Sequence, residues 1–175
     1  MKTDELRLEV PAPRHREEAL RFRRAFFEAG EDTIDGSSLL DRTESYDEWL
    51  RLIGDAAAGK GGPVTEVWFA CDGSGKLVGI LDLRHELNDF FRDLGHCGYS
   101  VLPDERRQGY ATRMLHLATE KARQAGMREL QLSVLRINTP SVRTILKNGG
   151  VYTRSFNFYG EPADVYRICL DGEDR

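Results

Sequence analysis

Residues 106 to 111, Arg-Arg-Gln-Gly-Tyr-Ala, combine residue types that proteins use to bind a negatively charged group. Gly109 allows a tight turn, because a residue without a Cβ atom adopts conformations that other residues avoid. A helical pattern of apolar residues begins at Tyr110, and the first amides of a helix have no partner within it. Those amides and the helix dipole favour an anion such as a pyrophosphate. On spacing alone, a polar turn that caps a core helix is an equal alternative.

The composition is that of a globular protein in water. The chain has 175 residues, 40% of them hydrophobic and 31% charged, which fits one domain over residues 1 to 175. No apolar run approaches the roughly 18 residues that cross a bilayer, and no signal peptide is recognisable, so we expect a cytoplasmic protein without a membrane partner. The net charge of -4 gives no general attraction to nucleic acid. The three cysteines are far apart and indicate free thiols, and no motif predicts a metal site.

Hydrophobic periodicity predicts an α/β (α+β) fold. We expect a mixed, mostly antiparallel central sheet of about six or seven strands, with about four helices packed on it. Strands are predicted at residues 6–10, 64–70, 76–83, 96–102, 129–135, 151–158 and 164–170. Helices are predicted at 14–29, 46–58, 110–125 and from Pro140, capped by Thr139, to the glycine pair at 149–150. The anion-binding turn therefore joins a strand to a helix.

Two linked motifs lie in the central half of the chain. The first, Q/R-x-x-G-x-G/A, is met by Arg106, Gly109 and Ala111, and follows a strand that ends in Val101-x-Pro103. The second, N-x-x-A/S followed by K-x-G, is met by Asn138, Ser141, Lys147 and Gly149. In these two motifs the sequence resembles the GNAT superfamily of acyl-CoA-dependent N-acetyltransferases. The segment RHELNDFF, followed by GHCGYSVLPDERRQGYA, also resembles a bacterial subgroup of predicted acetyltransferases, and together these features cover about residues 64 to 150. The resemblance implies a GNAT-like fold with splayed strands at the cofactor site.

The resemblance also implies that acetyl-CoA is the cofactor and that mostly backbone groups bind it. Amides of residues 107 to 112 would hold the pyrophosphate, and the main chain of Ser100 and Val101 would pair with the pantetheine arm. Asn138 would reach that arm, and Ser141 the arm or a phosphate, with helix capping as the alternative. The side chains of Arg106 and Arg107 either bind phosphate or are solvated. The residues assigned to the cofactor are Ser100, Val101, Arg106, Arg107, Gln108, Gly109, Tyr110, Ala111, Thr112, Asn138 and Ser141.

The chemistry implied is direct attack of an amine on the acetyl thioester in a ternary complex. An amine with a pKa near ~10.4 is almost fully protonated at pH 7, so a base near the nucleophile is needed. His96, near the start of the strand that carries Val101, is the first candidate, and Glu86 is the second; a base of another kind stays open. The tyrosine with which many family members protonate the departing thiolate is replaced by Ile145, and Tyr159 is a weak substitute.

We therefore predict an acetyl-CoA-dependent N-acetyltransferase that acts on a primary amine. The acceptor, a small molecule or a peptide, is not specified, because it would contact the irregular segments 31–62 and 84–95. A protein N-terminal or lysine acetyltransferase is one alternative. An acyl-CoA-binding regulatory module without turnover is another, and a homodimer is left open.

Overall fold

The computed structural model describes residues 3 to 171, and within them the chain forms seven strands and four α-helices. The strands are β1 (Arg7–Glu9), β2 (Thr65–Cys71), β3 (Leu77–Arg84), β4 (Cys97–Val101), β5 (Glu129–Leu135), β6 (Val151–Phe158) and β7 (Glu161–Cys169). The helices are α1 (Arg16–Glu28), α2 (Tyr46–Ala57), α3 (Tyr110–Gln124) and α4 (Thr139–Lys147). None of these helices is long and apolar enough to cross a membrane.

The strands of the described region form two antiparallel sheets that are splayed apart. One has the order β1-β2-β3-β4 and the other β5-β7-β6. The sheets meet at a bridge between Gly95 and Leu132, beside a 2.8 Å hydrogen bond from the His96 amide to the Gln131 carbonyl. Beyond this contact no ladder joins β4 to β5 in residues 3 to 171. The mixed, mostly antiparallel α/β fold with splayed strands is confirmed.

Two apolar cores cover the two faces of the first sheet. Val67 and Phe69 of β2 face the core built with α1 and α2, whereas Trp68 and Ala70 face the core built with α3. This alternation follows from the period of two residues in a strand. Because both faces are covered, β2 and β3 read as nearly continuous apolar runs. The sheet is therefore a rigid support for the residues at the end of β4.

Three element boundaries differ from the sequence predictions for local reasons. The first helix begins at Arg16, because residues 13 to 15 form a 3-10 turn. Asn138, and not Thr139, caps α4: its side-chain oxygen accepts the Ser141 amide at 3.3 Å. The last strand begins at Glu161, three residues earlier than predicted, because the loop between β6 and β7 has only two residues. Both loop residues have positive φ, 49° and 92°, as a type I′ hairpin requires.

Candidate active site

The turn between β4 and α3 leaves a row of backbone amides without partners. Arg107 and Gly109 have φ values of 64° and 90°, so the chain turns sharply twice before the helix starts. Gly109 occupies the cap position, and no side chain caps the helix. Among residues 3 to 171, no acceptor is found for any amide from 107 to 112; the Arg113 amide is the first to bond, to the Gly109 carbonyl at 3.1 Å. This geometry suits a bound anion.

The side chains of the turn differ in their availability to a phosphate. Arg106 is engaged with the protein: it donates two hydrogen bonds to Glu31, at 2.6 and 2.8 Å, and one to the Val101 carbonyl at 3.1 Å. Its guanidinium thus holds the turn in place. Arg107 is exposed and has no hydrogen bond or ion pair to another described residue. Tyr110 is buried, so only its backbone faces the site.

The register of β4 decides which main-chain groups face the gap between the sheets. The Leu102 amide donates to the Val78 carbonyl of β3 at 2.8 Å. Because main-chain groups of successive residues in an antiparallel strand point to opposite sides, Ser100 also faces β3. Tyr99 and Val101 face the open edge. The register therefore favours the main chain of Tyr99, beside Val101, over that of Ser100 as a partner for the pantetheine arm.

The segment between α1 and α2 lies directly on β4. A Cβ atom on Gly36 would be 2.3 Å from the carbonyl oxygen of Gly98, so neither backbone has room for a side chain between them. The Ser100 hydroxyl donates to the Asp35 carbonyl at 2.8 Å. Sequence reasoning missed this contact, although a glycine inside a strand is a signal for close approach of another backbone.

Two carboxyl groups lie at this contact, and neither was predicted. Asp82 of β3 is buried and accepts hydrogen bonds from the Gly98 amide at 2.8 Å and from Arg84 at 3.1 Å. Burial raises the pKa of Asp82, opposed by the charge of Arg84. Asp35 is an exposed residue. Partial desolvation of its carboxyl by neighbouring groups raises its pKa, and the charges of Asp82, Asp41 and Glu31 raise it further. A carboxylate with a raised pKa is a stronger base than an ordinary carboxylate.

His96 is occupied by a structural contact. Its Nδ1 accepts the Gln131 amide at 2.8 Å, and the residue is buried. A neutral imidazole with Nδ1 as acceptor carries its proton on Nε2, so neither nitrogen has a free lone pair for a substrate proton. Burial also lowers the pKa of His96. This geometry does not favour His96 as the base.

Glu86, the second candidate, lies on the exposed connection after β3. Within the described residues its carboxylate has no hydrogen bond or ion pair. The neighbouring His85 is directed elsewhere, because its Nε2 lies 2.8 Å from Glu66 on β2. The structure thus brings neither predicted base into contact with the open edge of β4.

The first turn of α4 contributes Ser141 to the gap. Its hydroxyl oxygen is 2.7 Å from the phenol oxygen of Tyr99. Ile145, one turn further along, is 1% exposed and belongs to the core, whereas Tyr159 at the β6–β7 hairpin is 94% exposed. Tyr99 is therefore the phenol that the structure places beside this helix turn.

Comparison with known proteins identifies the family. The model of the acetyltransferase (GNAT) family matches residues 22 to 149, so the chain belongs to this family, and acetyl-CoA is confirmed as the acetyl donor of the enzyme class. No curated protein sequence is a significant match. A solved protein from Bordetella pertussis, assigned to the GnaT family, is 20% identical and has a TM-score of 0.68, covering 97% of this chain and 98% of its own.

Two further solved structures share the fold. A dodecameric spermidine N-acetyltransferase from Vibrio cholerae is 16% identical, with a TM-score of 0.68 and 95% coverage of both chains. A protein from Salmonella typhimurium assigned as an acetyltransferase, solved with its cofactor acetyl-CoA, is 16% identical, with a TM-score of 0.65 and coverage of 98% of this chain and 97% of that one. At these identities the similarity concerns the fold.

Proposed function

We propose that this protein transfers the acetyl group of acetyl-CoA to a primary amine by direct attack within a ternary complex. The observation that carries the proposal is the row of open amides at residues 107 to 112, at the end of a strand whose edge faces a gap between two sheets. The amides suit the pyrophosphate, and the main chain of Tyr99 and Val101 suits the pantetheine arm as an added strand. Arg107 supplies a positive charge for a phosphate.

The acceptor that fits best is a cationic amine. The segment between α1 and α2 carries Glu31, Asp32, Asp35 and Asp41, and it lies on the same strand whose edge would hold the thioester. Negative charge at this place attracts an ammonium group and disfavours an acidic acceptor. The name of the Vibrio cholerae neighbour, spermidine N-acetyltransferase, makes polyamines the first class to test.

Asp35 is the base that we propose in place of His96. About one amine in 2,500 is neutral at pH 7 when its pKa is ~10.4, a deficit of roughly 4.6 kcal/mol that a positioned base helps to overcome. The raised pKa of Asp35 brings the carboxyl closer to the working pH. In the described structure no hydrogen bond occupies its side chain, in contrast to the His96 ring.

A screen for acceptor-dependent release of CoA tests the proposal. Polyamines, diamines, amino acids and peptides with a free N-terminus or lysine are supplied with acetyl-CoA, and the thiol product is detected. We expect release with cationic amines above the rate of acetyl-CoA hydrolysis. Calorimetric binding of acetyl-CoA without release by any acceptor would overturn the proposal and favour a regulatory module, for which the apolar Ile145 is the supporting observation.

A further inference from the structure

Tyr99 connects the two sides of the gap between the sheets. Its main chain lies on the open edge of β4, and its hydroxyl reaches Ser141 in the first turn of α4, 2.7 Å away. The helix contacts β5, the strand on the opposite side of the gap, as well as α3. The ring of Tyr99 packs against the core under α3. This phenol is therefore held in one orientation, beside the edge to which the proposed function assigns the pantetheine arm.

The proposed reaction needs a proton donor at this edge. As the amine nitrogen forms a bond to the acetyl carbon, the carbon–sulfur bond breaks, and its electron pair leaves with the sulfur. The resulting thiolate takes up a proton to become the thiol of CoA. Ile145 is apolar and cannot supply that proton, and the Asp35 carboxylate serves to remove the proton of the amine.

We propose that Tyr99 is the acid that protonates the departing thiolate, and that Ser141 positions its hydroxyl. The proposal rests on the acetyltransferase function proposed above. The phenolic proton moves to sulfur, and the phenolate regains a proton from solvent through the Ser141 hydroxyl. The cationic amine loses two protons, one when it becomes neutral before the attack and one when the amide forms, and Asp35 passes each of them to solvent. Because the phenolate takes one proton back from solvent, one proton is released for each cationic amine acetylated. Burial raises the pKa of Tyr99, which keeps the phenol protonated at working pH.

The test compares Tyr99→Phe with a matched tyrosine elsewhere. Tyr152 is an exposed tyrosine on β6 whose hydroxyl is 2.9 Å from Ser155, so Tyr152→Phe removes a similar Tyr–Ser hydrogen bond outside the gap. We expect Tyr99→Phe to lower kcat about 10²-fold with the best acceptor, the usual contribution of a positioned acid, while acetyl-CoA affinity stays within about twofold. Tyr152→Phe should behave as the wild type does.

Two further measurements separate an acid from a packing residue. The solvent deuterium isotope effect on kcat should exceed one in the wild type and fall towards one in Tyr99→Phe, because the transferred proton is gone. Ser141→Ala, which keeps the phenol, should lower kcat by about tenfold or less and keep the isotope effect. Wild-type kcat in Tyr99→Phe would overturn this inference and leave the proposed function intact. An equal loss of kcat and acetyl-CoA affinity with an unchanged isotope effect would also overturn it.

Discussion

The guanidinium of Arg106 and the carboxylate of Glu31 share two hydrogen bonds, at 2.6 and 2.8 Å, that tie the cofactor turn to the segment beyond α1. Both side chains are about 40% exposed, 42% and 38%, so the pair contributes little to stability. The pair instead fixes the position of the segment beyond α1, and this segment also places Asp35 against β4. The proposed sites for the cofactor and for the acceptor are thus joined by one ion pair.

We predict that Arg106→Ala impairs both sites. The turn loses its anchor, so acetyl-CoA affinity should fall by about tenfold, equivalent to about 1.4 kcal/mol, and KM for the amine should rise. Calorimetry and steady-state kinetics measure the two effects. Arg16→Ala is the control, because Arg16 forms a 2.6 Å ion pair with Asp47 away from the turn. Unchanged cofactor affinity in Arg106→Ala would show that the turn holds its shape without this pair.

Gly109→Val should abolish measurable acetyl-CoA binding while the fold persists. The φ of Gly109 is 90°, a conformation that a β-branched residue avoids, so the turn must change its shape. Thr3 Cγ2, 3.6 Å from the position of an added Cβ, leaves room for the side chain, so strain in the backbone and not a clash causes the change. Isothermal titration with acetyl-CoA measures the loss.

Gly126→Val is the matched control for that variant. Gly126 lies at the other end of α3 with a φ of 79°, and an added Cβ would meet nothing within 4 Å. Both variants should lose similar stability, of the order of 1–3 kcal/mol, in thermal or denaturant unfolding. If Gly126→Val binds acetyl-CoA as poorly as Gly109→Val does, the loss reflects general destabilisation and not the turn.

The fold was predictable where the signals are local. The β2–β3 hairpin lies within one residue of its predicted bounds, because the Asp72–Gly75 turn and the apolar runs around it specify it directly. Helix α3 also lies within one residue of its predicted bounds, and Gly109 precedes it as predicted. These features depend on residues that are close together in the chain, so hydrophobic periodicity predicts them.

The candidate site was predictable only in part, because it depends on contacts between distant segments. Whether Ser100 or Tyr99 faces the gap is decided by the register with β3, and a shift of one residue reverses the answer. Asp35 reaches β4 because the Trp49 indole donates to the carbonyl of Ser37 at 2.9 Å and holds the segment between α1 and α2. His96 is predicted as the base from its residue type and its place near the start of β4, but the hydrogen-bond partner of its ring, Gln131, lies 35 residues away in the chain.

Asp35→Asn should lower kcat about 10²- to 10⁴-fold at pH 7 with the best acceptor. The defect should shrink at high pH, where the free amine is already neutral. Protonation of Asp35 on acidification should also lower the kcat of the wild type. Because the pKa of Asp35 is raised, this fall should begin at a higher pH than it would for a base with the pKa of an ordinary aspartate. The pH profile of kcat measures both effects.

Asp32→Asn controls for the loss of one negative charge from the same segment. Asp32 is exposed and has no hydrogen bond or ion pair to another described residue. The Asp32→Asn variant should have a slightly higher KM for a cationic amine and an unchanged kcat. Equal kcat values for Asp35→Asn and the wild type would exclude Asp35 as the base and direct attention to a base that acts through water.

His96→Gln should change how stability depends on pH more than it changes turnover. Burial lowers the pKa of His96 in the folded protein, so the unfolded chain, with a pKa near ~6.5, binds the proton more readily. The neutral ring therefore makes its full contribution to the free energy of unfolding above about pH 6.5. That contribution is lost as the pH falls from there towards the lowered pKa of His96 in the folded protein. Glutamine does not titrate, and its amide oxygen can accept the Gln131 hydrogen bond. The variant should lack this loss of stability on acidification.

Urea unfolding of both proteins at pH 7.5 and pH 5.5 measures the difference. We expect the free energy of unfolding to decrease more on acidification in the wild type than in His96→Gln. Other groups with a raised pKa, among them Asp35 and Asp82, are common to both proteins, so the comparison isolates His96. Turnover at pH 7 should stay within about threefold of wild type, far from the 10²-fold or larger loss expected for a base. A loss of that size in a variant as stable as the wild type would restore His96 as the base and remove Asp35 from that role.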